Sequence, residues 1–203
     1  GSGAFTCGAQ DAGVPVIGVI EGCFSAAATY RDNHPEHPVT VLDLQHIDEV
    51  VAFVLRVLRH YEATTGRQPR LVILASPPCQ SYSLAGRQLG DADTRALVLP
   101  AIVAAGLRCG MAAIVVENVE PFMHSLTWHG TCRDLHDNGF TTDAAVVDTA
   151  DLSLPQRRRR MIGIGYAGSL ACGMRPAELA LRASDPVTVA DMFPDVTYFF
   201  YNG

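Results

Sequence analysis

Leu71-Val72-Ile73-Leu74-Ala75-Ser76-Pro77-Pro78-Cys79-Gln80-Ser81-Tyr82-Ser83 is the stretch from which the rest of the chain can be read. Four apolar residues in succession predict a strand buried on both faces of a parallel sheet. Two prolines follow at once; each fixes its own φ and restricts the residue before it. Cys79 is therefore expected on a stiff loop at the carboxyl end of a central strand, where open α/β sheets form their ligand crevices. A thiolate there is a strong nucleophile suited to covalent catalysis. A buried structural thiol is the other reading of a single cysteine.

On either side the chain alternates strand and helix patterns with short turns. Upstream, a glycine-rich turn at Gly1-Ser2-Gly3-Ala4-Phe5-Thr6 leads into a short helix over about Cys7 to Ala12. Val14 to Glu21 reads as a strand, and a helix from Ser25, a plausible N-cap, runs to Asn33 before His34-Pro35 stops it. Pro38 to Leu42 reads as a short strand closing on Asp43, and Ile47 to Tyr61 has amphipathic helical spacing. Downstream, Asp93-Thr94 caps a helix to about Arg108, closed by Cys109-Gly110. Ala112 to Val116 is a second buried strand, followed by a helix over Glu120 to Asp137 and a strand over Thr142 to Val147. Met161 to Tyr166 is a further strand, weakened by its two glycines. Asp185 to Asp191 begins another helix.

Composition limits what such a chain can be. A length of 203 residues suits one domain with a substantial core. No apolar run approaches the roughly 20 residues of a membrane span, and the first residues lack the basic start of a signal peptide. The cysteines at 7, 23, 79, 109, 132 and 172 form no C-x-x-C pair, which favours reduced thiols in a cytosol-like compartment over a zinc site or a disulfide framework. Histidines 34, 37 and 46 are close in sequence, but their spacing suggests surface positions and no metal site. The net charge of -6 argues against a simple polyanion binder. The positive charge is nonetheless concentrated, in the run Arg157 to Arg160 and in Arg87 and Arg95 beside the cysteine loop.

Glu21 and Asp43 each end a predicted strand near the glycine turn, where doubly wound folds place an acid against a ribose; a solvated strand-end acid is the alternative. The order of blocks is more specific than any one of them. Gly1-Ser2-Gly3-Ala4-Phe5-Thr6, Pro77-Pro78-Cys79-Gln80, Glu117-Asn118-Val119 and Gln156-Arg157-Arg158-Arg159-Arg160 follow one another, with Asp43-Leu44 as a weaker fifth block. In this the chain resembles the cytosine-C5 DNA methyltransferases, over Gly1 to about Tyr166. Ser83-Leu84-Ala85-Gly86-Arg87 is similar to the bacterial and phage forms of the cysteine loop.

The resemblance implies an α/β fold: a Rossmann-like sheet of the S-adenosylmethionine-dependent methyltransferases with helices on both faces. Residues 1–168 would form the catalytic and cofactor-binding domain, and 169–203 would start the segment leading to a target-recognition region. Against the family pattern the first strand and that recognition region are missing. A separate chain or a further C-terminal region would then supply recognition of double-stranded DNA, with no membrane involved. The implied location is the cytoplasm of a prokaryotic or phage-infected cell, or the nucleus of a eukaryotic one.

The resemblance also implies roles. Cys79 would add to C6 of a flipped-out cytosine, turning C5 into a carbon nucleophile for the methyl group of S-adenosylmethionine. Glu117 would bind N3 and the exocyclic amine, while Arg160 and, to a lesser degree, Arg158 would hold the base carbonyl oxygen and the cysteine loop. If the arginine block is a strand, Gln156, Arg158 and Arg160 share one side, and Arg157 and Arg159 face solvent or phosphate. Asn118 would brace the loop, with Pro77, Gln80, Ser83 and Arg87 around it. For the cofactor, Gly1, Ser2, Gly3, Ala4, Phe5 and Pro78 would lie near the methionine part, Glu21 at the ribose, and Asp43 with Leu44 at the adenine. Cys23 stands where many relatives carry a second acid. Three other readings stay open: a tRNA cytosine-C5 methyltransferase, a non-catalytic regulatory or partner relative, and a nicotinamide-binding fold. The last accounts for neither Pro78-Cys79 nor the arginine block.

Overall fold

The computed structural model describes residues 1–82 and 90–168, and within them helices alternate with strands in two ladders. Helix α1 (Ala4–Asp11) opens the chain directly after Gly3. Strand β1 (Val19–Glu21), helix α2 (Phe24–Asn33), strand β2 (Val39–Val41) and helix α3 (Ile47–Thr65) follow. Strand β3 (Val72–Ala75) leads through the cysteine loop to helix α4 (Val98–Arg108) and strand β4 (Ala113–Val119). Helix α5 (Leu126–Asp137) then precedes strands β5 (Phe140–Asp148) and β6 (Arg159–Ala167). β1 and β2 pair in parallel as one ladder; the other has the order β3-β4-β6-β5, parallel between β3 and β4 and antiparallel elsewhere.

Local chemistry accounts for the element ends. Asp48 and Glu49 place negative charge in the first turn of α3, and Gly66, at φ 67°, closes its last turn. α5 is capped by Ser125, whose Oγ accepts from Trp128 N at 3.0 Å. Pro121 stands near the start of a separate 3-10 turn, Glu120–His124, so the helix expected over Glu120 to Asp137 comes in two pieces. The helix expected from Ser25 starts instead at Phe24 behind Cys23, and Ser25 Oγ lies 3.1 Å from Cys23 Sγ rather than capping.

β4 carries the larger core. Its burial alternates, with Ile114, Val116 and Asn118 facing inward. These pack with Leu99, Val103, Trp128, Leu135 and Met161, sealing α4 and α5 onto one face of the sheet. Burying such side chains is worth roughly 1.5–3 kcal/mol each relative to leaving them exposed. The glycines of β6 are part of this packing. A Cβ at Gly163 would overlap the Trp128 ring, and one at Gly165 would come within 2.9 Å of Leu135 Cδ1. They mark a close approach of α5 to a well-formed strand.

Two strand expectations need correction. The Leu71–Leu74 run is not buried on both faces: β3 is the outer strand of its ladder, and Val72 and Leu74 are 43% and 39% exposed. The strand expected over Val14 to Glu21 is regular only from Val19. Pro15 lacks an N–H, and pairing begins where Val19 N donates to Pro38 O at 2.9 Å. The expectations for Ser83 to Arg87, for the helix from Asp185 and for residues 169–203 lie outside the described residues. No helix among the described residues is long and apolar enough to cross a membrane.

Candidate active site

β3 ends at Ala75, and the next seven residues turn back over the ends of β4 and β6. Pro77 is buried, Cys79 half-buried and Gln80 exposed. Asn118 Nδ2 donates to Pro77 O at 3.3 Å from a fully buried position, while its Oδ1 accepts from Val119 N at 2.8 Å. Tyr82 N donates to Cys79 O at 3.0 Å, closing a turn behind the proline pair. Pro78 lies half-buried between them.

Glu117 is gripped from both sides. Ser76 Oγ donates to its Oε2 at 2.7 Å, and Arg160 Nε lies 3.1 Å from its Oε1. The Glu117 and Arg160 side chains are 26% and 22% exposed, so the pair is sheltered yet open to a ligand. Three segments distant in sequence thus meet at one carboxylate: the start of the cysteine loop, the end of β4 and the start of β6. Ser76 was not foreseen; its only sequence signal is a hydroxyl at a strand end three residues before the cysteine.

The rest of the arginine block differs from expectation. β6 begins at Arg159, so alternation does not extend back to Gln156. Gln156 is exposed, its carbonyl accepting from Thr149 Oγ1 at 2.6 Å. Arg158 is exposed and held through its backbone, its N–H donating to Asp148 Oδ1 at 3.1 Å. The structure therefore does not bring the Arg158 side chain to Glu117. Arg157 pairs with Asp148 at 3.7 Å and Arg159 with Glu120 at 2.9 Å. Arg95 is tied to Asp93 at 2.6 Å, so that charge beside the cysteine loop is neutralised locally.

The cysteine loop has a second anchor that sequence reasoning did not find. Asp91 accepts from the first backbone N–H groups of α5, Leu126 N at 3.0 Å and Thr127 N at 2.9 Å, and from the hydroxyls of Thr127 and Tyr82 at 2.7 and 2.8 Å. Burial acts to raise the Asp91 carboxyl, but these hydrogen bonds outweigh it and hold it at about 2. Burial, with the Asp91 carboxylate beside it, pushes the Tyr82 phenol up to about 12, so it stays a donor. Gly90 N donates to Ser81 O at 2.9 Å.

Of the residues expected at a cofactor, the structure brings the glycine turn and Glu21 together. Gly3 sits at φ 98° as the N-cap of α1, and a Cβ there would overlap the His34 ring, so both conformation and space call for glycine. Ala4 and Phe5 are the first residues of α1. Ser2 O accepts from Asn33 Nδ2 at 3.0 Å. The Gly1 nitrogen lies against Glu21 Oε2, and Glu21 Oε1 accepts from Cys23 N at 3.1 Å. Burial acts to raise the Glu21 carboxyl; the bonds from Gly1 and Cys23 outweigh it and leave it below its ordinary value. Asp43 is exposed just after β2 and accepts from Gln45 N at 2.9 Å, while Leu44 beside it packs into the core. An ionised acid with oxygens turned toward a backbone-lined turn fits a ribose diol joined to an amino-acid group, so these residues fit S-adenosylmethionine.

The histidine expectation is corrected in part. His34 is buried and the His37 side chain is 9% exposed; His46 alone of the three stands in solvent, beside Glu49. The chain folds them in because the turn after α2 lays both rings against Tyr30, 4.9 and 6.4 Å away.

A family model described as C-5 cytosine-specific DNA methylase matches residues 1–180. The Type II methyltransferase M.HgiDI of Herpetosiphon aurantiacus is 30% identical over 98% of this chain and 62% of its own length. M.HindV of Haemophilus influenzae is 28% identical over 94% of this chain and 59% of its own. The chain thus spans about three fifths of the length of these relatives. Among solved structures, a DNA modification methyltransferase described as encoded within a prophage of E. coli superposes with a TM-score of 0.71 at 22% identity, covering 97% of this chain and 53% of that one. The S. pombe Dnmt2 methyltransferase superposes at 0.65 with 16% identity, covering 91% and 52%.

Proposed function

Because this chain belongs to the C-5 cytosine-specific DNA methylase family, we propose that residues 1–168 are the catalytic and cofactor-binding part of an enzyme that methylates C5 of cytosine in DNA. The observation that carries this reading is the Glu117 carboxylate, held by Ser76 from the cysteine loop and by Arg160 from β6. That arrangement presents a fixed acid beside a nucleophile on a stiff loop.

Cys79 supplies the nucleophile. Its thiolate adds to C6 of a cytosine taken out of the stack, and the electron pair of the C5–C6 double bond becomes available at C5. Glu117 accepts from the exocyclic amine and shares a proton with N3, which relieves the charge that builds on the ring. Arg160 keeps that carboxylate in place and faces the base carbonyl oxygen. Asn118 and the prolines fix the thiol, since misplacement by an ångström is costly in such an attack. When bound, S-adenosylmethionine supplies an electrophilic methyl group; Gly1, Ser2, Gly3, Ala4, Phe5 and Pro78 would hold its methionine part, Glu21 its ribose, and Asp43 with Leu44 its adenine. Loss of the C5 proton to water re-forms the C5–C6 double bond as the C6–S bond breaks, and the released thiolate regenerates the enzyme. Pro77, Gln80 and Arg158 line the approach to the loop, Gln156 supports the arginine block, and Ser83 and Arg87 are assigned to the substrate side. Selection of the target sequence is assigned to a segment beyond residue 168 or to a partner chain, acting on double-stranded DNA in the cytoplasm.

The test is covalent trapping on duplex DNA carrying 5-fluorocytosine, with a tRNA analogue in parallel. Fluorine blocks the last elimination, so a denaturant-stable adduct mapped to Cys79 on DNA is expected. An adduct on RNA alone would replace DNA as the substrate, and an adduct persisting in Cys79→Ala would remove the nucleophile assignment.

A further inference from the structure

The turn His34-Pro35-Glu36-His37 joins α2 to β2, and nothing in the methyl-transfer reading uses its imidazoles. It gathers three metal-type donors. His34 Nδ1 lies 3.7 Å and His37 Nδ1 3.5 Å from Glu36 Oε1, and one donor atom from each residue falls within 4.8 Å of the others. We propose that His34, Glu36 and His37 form a binding site for one borderline divalent cation, zinc being the natural occupant of such a set.

The dimensions suit this. Zinc holds imidazole nitrogens at roughly 2.0–2.1 Å and carboxylate oxygens at roughly 2.0–2.2 Å in a tetrahedron, so donors around one ion stand roughly 3.3–3.6 Å apart. The two nitrogen–oxygen separations are already close to that. Two imidazoles and one carboxylate favour zinc, cobalt or nickel over calcium or magnesium, which prefer sets made only of oxygen. The imidazoles are sheltered, at 10% and 9% side-chain exposure, whereas Glu36 is 52% exposed. The ion can therefore enter along the carboxylate and keep a water as its fourth ligand.

The surroundings supply what such a site needs beyond its ligands. The second nitrogen of His34, Nε2, is 3.9 Å from Cys7 Sγ, so the ring has an outer partner while Nδ1 faces the proposed ion. Tyr30 Oη lies 3.2 Å from His37 Nδ1 and 2.6 Å from Thr6 Oγ1. Its bond to His37 would yield to the ion while that to Thr6 remains. Gln10 Nε2 donates to Glu36 Oε1 at 3.2 Å and steadies the carboxylate from α1. His34 is also the C-cap of α2, where the partial negative charge of a helix end favours a cation. Since His34 presses on Gly3, an occupied site would brace the glycine turn; that consequence rests on the cofactor reading above, but the site itself does not.

Cobalt is the probe, titrated into untagged, chelator-treated protein. One equivalent should bind with the visible bands of a four- or five-coordinate nitrogen and oxygen site and no thiolate charge-transfer band. Glu36→Gln and His37→Gln should each weaken binding by about tenfold or more, with unchanged circular dichroism, and zinc should displace the cobalt. Cys7→Ser should keep one-to-one binding. A thiolate band, the absence of saturable binding up to millimolar cobalt, or full affinity in either variant would overturn the proposal. No step needs DNA or the methyl donor, so failure here leaves the methyl-transfer reading untouched, and failed trapping leaves this one untouched.

Discussion

Glu117 and Glu21 each lie toward the carboxyl end of a strand that has a parallel neighbour, yet they are held in opposite ways. Glu117 is fixed by side chains from two other segments, Ser76 and Arg160, on a strand whose neighbours lie on both sides. Glu21 is fixed by main-chain nitrogens, the Cys23 amide of its own turn and the Gly1 ammonium of the glycine turn, on a three-residue strand. Side chains from distant segments can be deleted one at a time. Backbone donors cannot, so the second carboxylate depends on the shape of its turn. The two halves of the site should therefore fail separately, and their responses to substitution should differ in kind.

Cys79→Ser separates them most sharply. A neutral hydroxyl is a far weaker nucleophile than a thiolate, so turnover should fall by at least about 10³-fold, roughly 4 kcal/mol in the barrier. Affinity for S-adenosylmethionine, measured by calorimetry, should not change. A parallel loss of cofactor binding would show that the halves are one unit. Arg160→Ala comes next. It frees Glu117 Oε1 from its cation, and single-turnover rates should drop by about 10²-fold, again at constant cofactor affinity. Arg160→Lys should recover only part of this, because an ammonium cannot reproduce the fork of a guanidinium. Full recovery by lysine would mean that only charge matters.

Gly163→Ala tests what the halves share. The added methyl meets the Trp128 ring, and overpacking of this kind costs about 1–3 kcal/mol. The melting temperature should fall, while activity per folded molecule stays normal well below the melt. Glu21→Gln is smaller and opposite in kind to the cysteine variant. The amide keeps one acceptor for a ribose hydroxyl, so cofactor affinity should weaken by about tenfold with the rate at saturation unchanged. A lower saturated rate would tie Glu21 to the chemistry.

What the sequence disclosed follows the same division. Strand and helix order was legible because apolar spacing reports burial, and the places of Cys79 after β3, of Glu117 near the end of β4 and of the glycine turn before α1 were legible for the same reason. β3 misled because four apolar residues imply two covered faces, whereas Val72 and Leu74 share one face of the strand that stays exposed. Gln156 and Arg158 misled because alternation was applied to residues that precede the strand. The glycines of β6 spoke against a strand, although they are the mark of α5 pressing on it. Ser76 gave only a hydroxyl at a strand end and Asp91 no signal, since each acts through partners brought near only by the fold.

Asp91 offers the finest test, because it links the cysteine loop to α5 without belonging to either carboxylate's grip. Its carboxyl is held at about 2 in the folded chain, below the ordinary 3.8. A depressed folded value means that the unfolded chain takes up the proton first as acid is added. The contribution is therefore complete above the ordinary value and is lost as the pH falls from there through about 2. Asp91 is exposed, so solvent screening limits the effect to under about 1 kcal/mol. Guanidinium unfolding of the wild type and Asp91→Asn should differ by one constant amount from pH 7 to pH 5. Roughly half of that difference should remain at pH 3, because the protonated acid and the amide then resemble each other. A difference that persists undiminished at pH 3 would mean that the shape of the side chain, and not its charge on the helix amides, anchors the loop.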